Sequence, residues 1–178
     1  MFNKKKLIFI LLFGLFLYLV FLKGLNNPTN YSPKNTSIKI DTKLTGKMLY
    51  HNKEVSLGEL IDKNNFSLIN IWASWCLPCR NEHPHLINLK KNKKINIIGI
   101  NYKDKKINAK NFLEDLGNPY SKILIDPDGT KSIELGAYGV PESYLINNKT
   151  KKIIKKYIGP IDVLKLKEIM KIINNEKI

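Results

Sequence analysis

Two cysteines are the only thiols in this chain, and they stand three positions apart as Cys76-Leu77-Pro78-Cys79. At that spacing a pair can form a reversible disulfide or supply half of a metal site. A structural zinc site needs four ligands, usually from a second CxxC or paired histidines. Neither follows here, and His83 and His85 would complete only a crowded local set. Haem attachment through CxxCH fails because Arg80 follows Cys79. A disulfide-stapled scaffold would carry more cysteines at wider separations. Thiol-disulfide exchange is the chemistry expected, with no metal and no cofactor. A structural disulfide in a non-catalytic tethered module is the alternative, and it predicts a Cys76 thiol near the free-cysteine pKa and no turnover.

What separates these readings is the element that carries the pair. Ser67 to Ala73 (SLINIWA) reads as a buried strand and Pro78 to about Leu89 as a helix, so the cysteines fall at the first helical turn. Unpaired N–H groups and the helix dipole favour an anion there, which makes Cys76 the nucleophile. Cys79, one turn further in, would resolve the mixed disulfide. Pro78 sits where a helix tolerates proline. Trp72 reads as core packing, and Trp75, beside the nucleophile, as part of the site. Far downstream stands Gly139-Val140-Pro141-Glu142. An isolated X-Pro bond is ordinarily trans, but in a CxxC fold of this element order a cis-proline faces the disulfide, and Pro141 falls at that place.

The remaining elements give the frame. Strands are expected at Ile95 to Asn101, Ser121 to Ile125, Glu142 to Ile146 and Lys152 to Ile158, the last two as a hairpin turning at Asn147-Asn148. A helix is expected over Ala109 to Leu116, and a final one capped by Asp162, with Val163, Leu166, Ile169, Met170 and Ile173 as its apolar stripe. Asp126-Pro127-Asp128-Gly129 reads as a turn, not a calcium loop, since the later ligands are missing. The order is that of a thioredoxin fold, an α/β domain with a mixed central sheet flanked by helices.

Three segments precede or make up that fold: an anchor over residues 1–23, a flexible linker over 24–43 rich in Asn, Pro, Ser, Thr and Lys, and the domain over 44–178. The apolar run Leu7 to Leu22 follows Lys4-Lys5-Lys6 and spans roughly 24 Å as a helix, short of the roughly 30 Å of a bilayer core, so flanking lysines must snorkel. The competing reading is a cleaved signal peptide, against which stands the lack of an A-x-A pattern after Leu22. The lysines before the run place everything after Lys23 on the far side of the membrane. A formal charge of +15 would ordinarily raise nucleic acid as a partner. Nearly all of it is dispersed lysine, with Arg80 the only arginine, whereas base and phosphate recognition favours arginine forks, so nucleic acid is not expected.

The run Trp72 to Pro84 (WASWCLPCRNEHP) resembles the active site of the CcmG/DsbE family, membrane-anchored thioredoxin-like proteins of cytochrome c maturation. GINYKD (99–104), LGNPY (116–120) and GAYGVPESYLI (136–146) agree with that family and are absent from ordinary thioredoxins. The resemblance covers about residues 44–175. It implies a single-pass protein of the bacterial inner membrane whose domain, in the periplasm, reduces haem-binding cysteines of apocytochrome c or of a thiol carrier protein. A membrane donor of the DsbD/CcdA type would recharge it; a general periplasmic reductant with other clients is the alternative. Carried over by position, Cys76 and Cys79 match the redox pair, Pro141 the cis-proline, and Glu82 and Glu142 the acids beside the site. Tyr138 falls in the fingerprint loop, and with Trp75, Val140 and Pro141 would contact substrate. Ser143, Tyr144 and Asn147 depart from the family's usual Thr, Phe and Asp. Thioredoxins usually carry a buried aspartate six residues before the first cysteine; here Asn70 stands there and cannot take a proton. Glu82, one turn beyond Cys79, would then accept its proton, provided burial raises the carboxyl pKa.

Overall fold

The computed structural model describes residues 4–25, 38–51, 53–61 and 64–175, which fall into two units, one through Tyr31 and one from Ser32 onward. The first contains a single helix, α1 (Lys4–Leu25), of 22 residues, about 33 Å long at ~1.5 Å per residue. It exceeds the length read from the apolar letters because the flanking lysines, good helix formers, continue it at both ends. Its large apolar side chains from Ile8 to Leu22 are exposed, and mean hydropathy over the span Lys4–Lys23 reaches 2.3. By length and composition this helix can cross a bilayer, a property that membrane anchors and signal sequences share.

Residues 26–37 of the expected linker lie outside the described residues. Its last part already belongs to the globular unit: Ile40 is buried and donates its N–H to Lys151 O at 2.9 Å, while Thr42 O accepts from Gly58 N–H at 2.9 Å. Ile38 and Ile40 are too short an apolar alternation within a polar run to read as an element, so composition alone sets the boundary later than packing does.

The globular unit runs β1 (Thr45–Lys47), β2 (Glu54–Ser56), α2 (Leu57–Leu60), β3 (Phe66–Trp72), α3 (Leu77–Leu89), β4 (Ile95–Tyr102), α4 (Lys106–Leu116), β5 (Lys122–Asp126), α5 (Thr130–Glu134), β6 (Glu142–Asn147), β7 (Lys152–Ile158) and α6 (Val163–Asn175). Five strands form one sheet in the order β5-β4-β3-β6-β7, with β3, β4 and β5 parallel and β6 and β7 antiparallel to their neighbours. This is the mixed sheet of the thioredoxin fold. Central β3 is buried along its whole length, which is why it reads as an unbroken apolar run instead of an alternation.

Alternation still sorts its side chains. Leu68 and Trp72 face Leu86, Phe112, Leu113, Ile169 and Ile173 from α3, α4 and α6. Ile69 and Ile71 face the other way, toward Leu57, Ile61 and Tyr144. Gly99 on β4 is required by the first layer, since a Cβ there would lie 2.8 Å from Trp72 Nε1.

The β1–β2 hairpin, α2 and α5 were not read from the sequence, because elements of three to five residues are too short to show a period. Helix α4 starts three residues earlier than Ala109, through Lys106-Ile107-Asn108, whose one apolar side chain is exposed. Asp162 Oδ1 does accept Lys165 N–H at 2.8 Å at the start of α6. Val163, however, is exposed; the stripe reaches the core only from Leu166 on, and the positions 166, 169, 170 and 173 complete a helical face without it.

Candidate active site

β3 delivers the chain to Cys76, the N-cap of α3, whose extended backbone (φ −89°, ψ 109°) aims Sγ back along the helix. Cys79 N–H donates to that sulfur at 3.1 Å, and a disulfide joins the two residues. In the reduced state the same N–H and the open first turn of α3 would face a Cys76 thiolate. Both cysteines are largely buried. Next to them in the chain, Trp75 is 59% accessible and Leu77 is open to solvent, and Tyr138, before the cis-proline, is 85% accessible. Val140 is half-buried and Pro141 buried, and the peptide between them is cis. Trp72 lies in the core, stacked on Tyr120 at 5.3 Å between ring centroids.

The loop between Trp72 and Cys76 is held from one side by a residue that sequence reading passed over. Asp104 accepts Ser74 N–H at 2.6 Å and Ser74 Oγ–H at 2.9 Å, and also the Asn101 side-chain amide at 3.0 Å and Lys105 N–H at 2.8 Å. Trp75 Nε1–H donates to Lys103 O at 3.0 Å, so the same β4–α4 loop orients the exposed indole. Its only sequence signal was membership in the GINYKD segment.

Glu82 lies on the face of α3 that turns toward the sheet and is 1% exposed. Oε1 accepts the Asn70 side-chain amide at 2.9 Å, and Oε2 accepts Ile161 N–H at 2.7 Å. Burial pushes the carboxyl up to about 7, against the opposing pull of those two donors and of Lys165. The same Asn70 amide donates to Ser143 Oγ at 3.0 Å, and Asn70 Oδ1 accepts Tyr120 O–H at 2.7 Å. Burial, with Glu82 nearby, holds the Tyr120 hydroxyl well above its usual range. Asn70 is therefore more than the missing carboxylate: it orients Glu82 within a closed polar cluster of four side chains from β3, α3, β6 and the segment before β5.

Glu142 takes a different direction. It pairs with Ile71 across the β3–β6 ladder, while Ser143 pairs with Asn70. Directly paired residues share a face, so Ser143 joins Glu82 and Asn70, and Glu142 points to the opposite face, beside Tyr144. Its Oε1 accepts the N–H groups of Tyr138 and Gly139 at 2.9 and 3.2 Å, and Lys156 Nζ lies 2.7 Å from Oε2. The structure thus gathers Cys76, Cys79 and Glu82 on one layer, and separates Glu142 from them by the sheet. His83, weighed above as a zinc ligand, is buried edge-on against Phe112 with Nε2 2.8 Å from Gly117 O. Burial lowers its imidazole pKa.

A family model described as Redoxin matches residues 35–171. Among curated proteins, the thiol:disulfide interchange protein CycY of Rhizobium leguminosarum bv. viciae is 51% identical over 106 residues, which are 60% of this chain and 56% of that protein. The chain thus spans little more than half the length of that relative. The thiol:disulfide interchange protein DsbE of Haemophilus influenzae is 36% identical over 155 residues, 82% of each chain. A crystal structure of a DsbF homologue from Corynebacterium diphtheriae superposes with a TM-score of 0.63 at 24% identity, over 82% of this chain and 96% of that one, a likeness of fold.

Proposed function

Because the chain belongs to the redoxin family and, within it, to the DsbE-type thiol:disulfide interchange proteins, we propose that Cys76 and Cys79 reduce disulfides of haem-binding cysteines during cytochrome c maturation. The observation that carries the reading is a CxxC disulfide at a helix N-terminus with a carboxyl of pKa about 7 buried one turn behind it. The Cys76 thiolate attacks one sulfur of the client disulfide, and the client's other sulfur leaves as a thiolate. Cys79 loses its proton toward Glu82, attacks the mixed disulfide and closes the Cys76–Cys79 bond. Two electrons pass to the client, and the oxidised pair is restored by a membrane dithiol donor of the DsbD/CcdA type. A carboxyl titrating near 7 suits this exchange, since it can accept and return a proton at ambient pH.

The client is apocytochrome c or the protein that carries its thiols, and it docks on the rim of Trp75, Tyr138, Val140 and Pro141. α1 serves as the uncleaved anchor in the bacterial inner membrane, the residues between it and Ile38 as the tether, and the domain that follows works in the periplasm. A reductant in an oxidising compartment must have a potential nearer thioredoxin's, about −270 mV, than DsbA's, about −120 mV.

Two measurements test this. Equilibrating the full-length protein with glutathione should give the lower potential; one as oxidising as DsbA's would sink the reductant role. A Cys79→Ala variant should trap mixed disulfides with haem-maturation proteins, and recovery of many unrelated clients without them would assign a general reductant instead.

A further inference from the structure

Glu142 and Lys156 form a buried ion pair on the face of the sheet away from Glu82. Lys156 lies on β7 directly across from Tyr144, so it shares the face to which Glu142 points. Its Nζ is 2.7 Å from Glu142 Oε2, donates to Gly136 O at 2.7 Å, and stands 4.4 Å above the Tyr138 ring centroid and 5.4 Å from that of Tyr144. The lysine side chain is only 11% exposed and the glutamate 3%, so neither is a solvated surface charge. Glu142 Oε1 meanwhile takes the N–H groups of Tyr138 and Gly139.

The two N–H bonds to Glu142, the bond to Gly136 O and the contact with the Tyr138 ring all end on the segment from Gly136 to Gly139, which leads into the cis peptide at Val140–Pro141. Gly136 has φ +77°, and neither Gly136 nor Gly139 has any atom within 4 Å of where a Cβ would stand. Ala137 packs against the core and donates its N–H to Ser132 O at 2.9 Å, and Gly136 N–H donates to Ile133 O at 2.8 Å, so the start of the segment is tied down by its own chain. Beyond Ala137 the N–H groups of Tyr138 and Gly139 are held instead by Glu142, and the exposed Tyr138 ring rests on Lys156.

We propose that Lys156 is a positioning residue that, through Glu142 and Tyr138, sets the conformation of the client-docking loop before Pro141. It rests on the proposed exchange activity and is independent of which client is used. In this arrangement the two buried acids divide their work by sheet face. Glu82 serves the thiols on the α3 side, and Glu142, with both oxygens engaged, holds the loop from the other.

The test uses the full-length protein in detergent micelles and two readouts. The first is hydrogen exchange at the Tyr138 and Gly139 amides, which needs no client. The second is reduction of a synthetic oxidised Cys-x-x-Cys-His peptide. Lys156→Met should speed exchange at both amides and raise the peptide KM on the order of tenfold, because displacing a docking element weakens binding before it touches the reacting bond. kcat and the pH profile of Cys76 alkylation should stay as in the wild type, and Lys156→Arg should restore KM. If Lys156→Met does not fold, Lys156→Gln removes the same charge with a polar side chain and is read by the same two measurements. Unchanged amide exchange would overturn the proposal, whatever the peptide does. So would a displaced alkylation profile with KM unaltered, which would make Lys156 an electrostatic partner of the thiolate. A peptide that the wild type does not reduce would count against the client reading alone, leaving the loop decided by exchange.

Discussion

Glu82 is buried with a carboxyl raised from 4.5 to about 7, and that displacement has a measurable thermodynamic consequence. An acid that binds its proton more tightly when folded gives stability that is complete below pH ~4.5 and is lost as pH rises through about 7. At roughly 1.4 kcal/mol per pH unit of displacement, the full effect is about 3 kcal/mol. Glu82→Gln should remove this slope. His83 works in the opposite direction, because burial lowers its pKa, so the folded state loses stability as pH falls through the imidazole range. The quantity to read is therefore the difference between wild type and variant, in which the His83 contribution cancels. Guanidinium unfolding of the oxidised proteins, followed by fluorescence of the buried Trp72, would be run at pH 5, 6, 7 and 8 at one ionic strength. The glutamine NH2 must face a donor, either the Asn70 amide or Ile161 N–H, and that cost is independent of pH. It moves the variant's curve without tilting it. Between pH 5 and 8 the wild type should lose about 2–3 kcal/mol more than the variant. Parallel curves would refute the reasoning, since they would mean that Glu82 titrates alike in the folded and unfolded chain.

Asn70→Asp would put a second carboxylate beside Glu82 Oε1, where the amide nitrogen now sits at 2.9 Å. Two buried carboxylates at that range cannot both ionise, so the same unfolding assay should show a loss of about 3 kcal/mol or more at pH 8 and a much smaller one at pH 5; equal losses at both would remove the electrostatic argument. Asp104→Ala should cost about 2–3 kcal/mol by stranding Ser74 N–H and the buried Asn101 amide. It should also speed hydrogen exchange at Ser74, and a midpoint and exchange rate within error of wild type would show that the loop before Cys76 is held by something else.

The chemistry of this protein was legible in its letters because it is local. Cys76 and Cys79 lie within one helical turn, the strand ahead of them is a continuous apolar run, and N-terminal helix physics then assigns attack and resolution. The family segments likewise lie in short contiguous stretches, as does the apolar run of α1. What tertiary structure decided is the company these residues keep. Asn70 reads as an absent acid, yet it binds Glu82 12 residues away, Tyr120 50 away and Ser143 73 away. No pattern along the chain reports such distances. Asp104 and Lys156 were missed for the same reason, each acting on a segment that sequence separation hides. The sharpest case is the pair of acids. Glu82 and Glu142 look equivalent as letters near a redox pair, but pairing Ser143 with Asn70 turns Glu142 to the far face of the sheet. Side chains alternate along a strand, so a single residue of register puts Glu142 on the opposite face of the sheet from Ser143, Asn70 and Glu82.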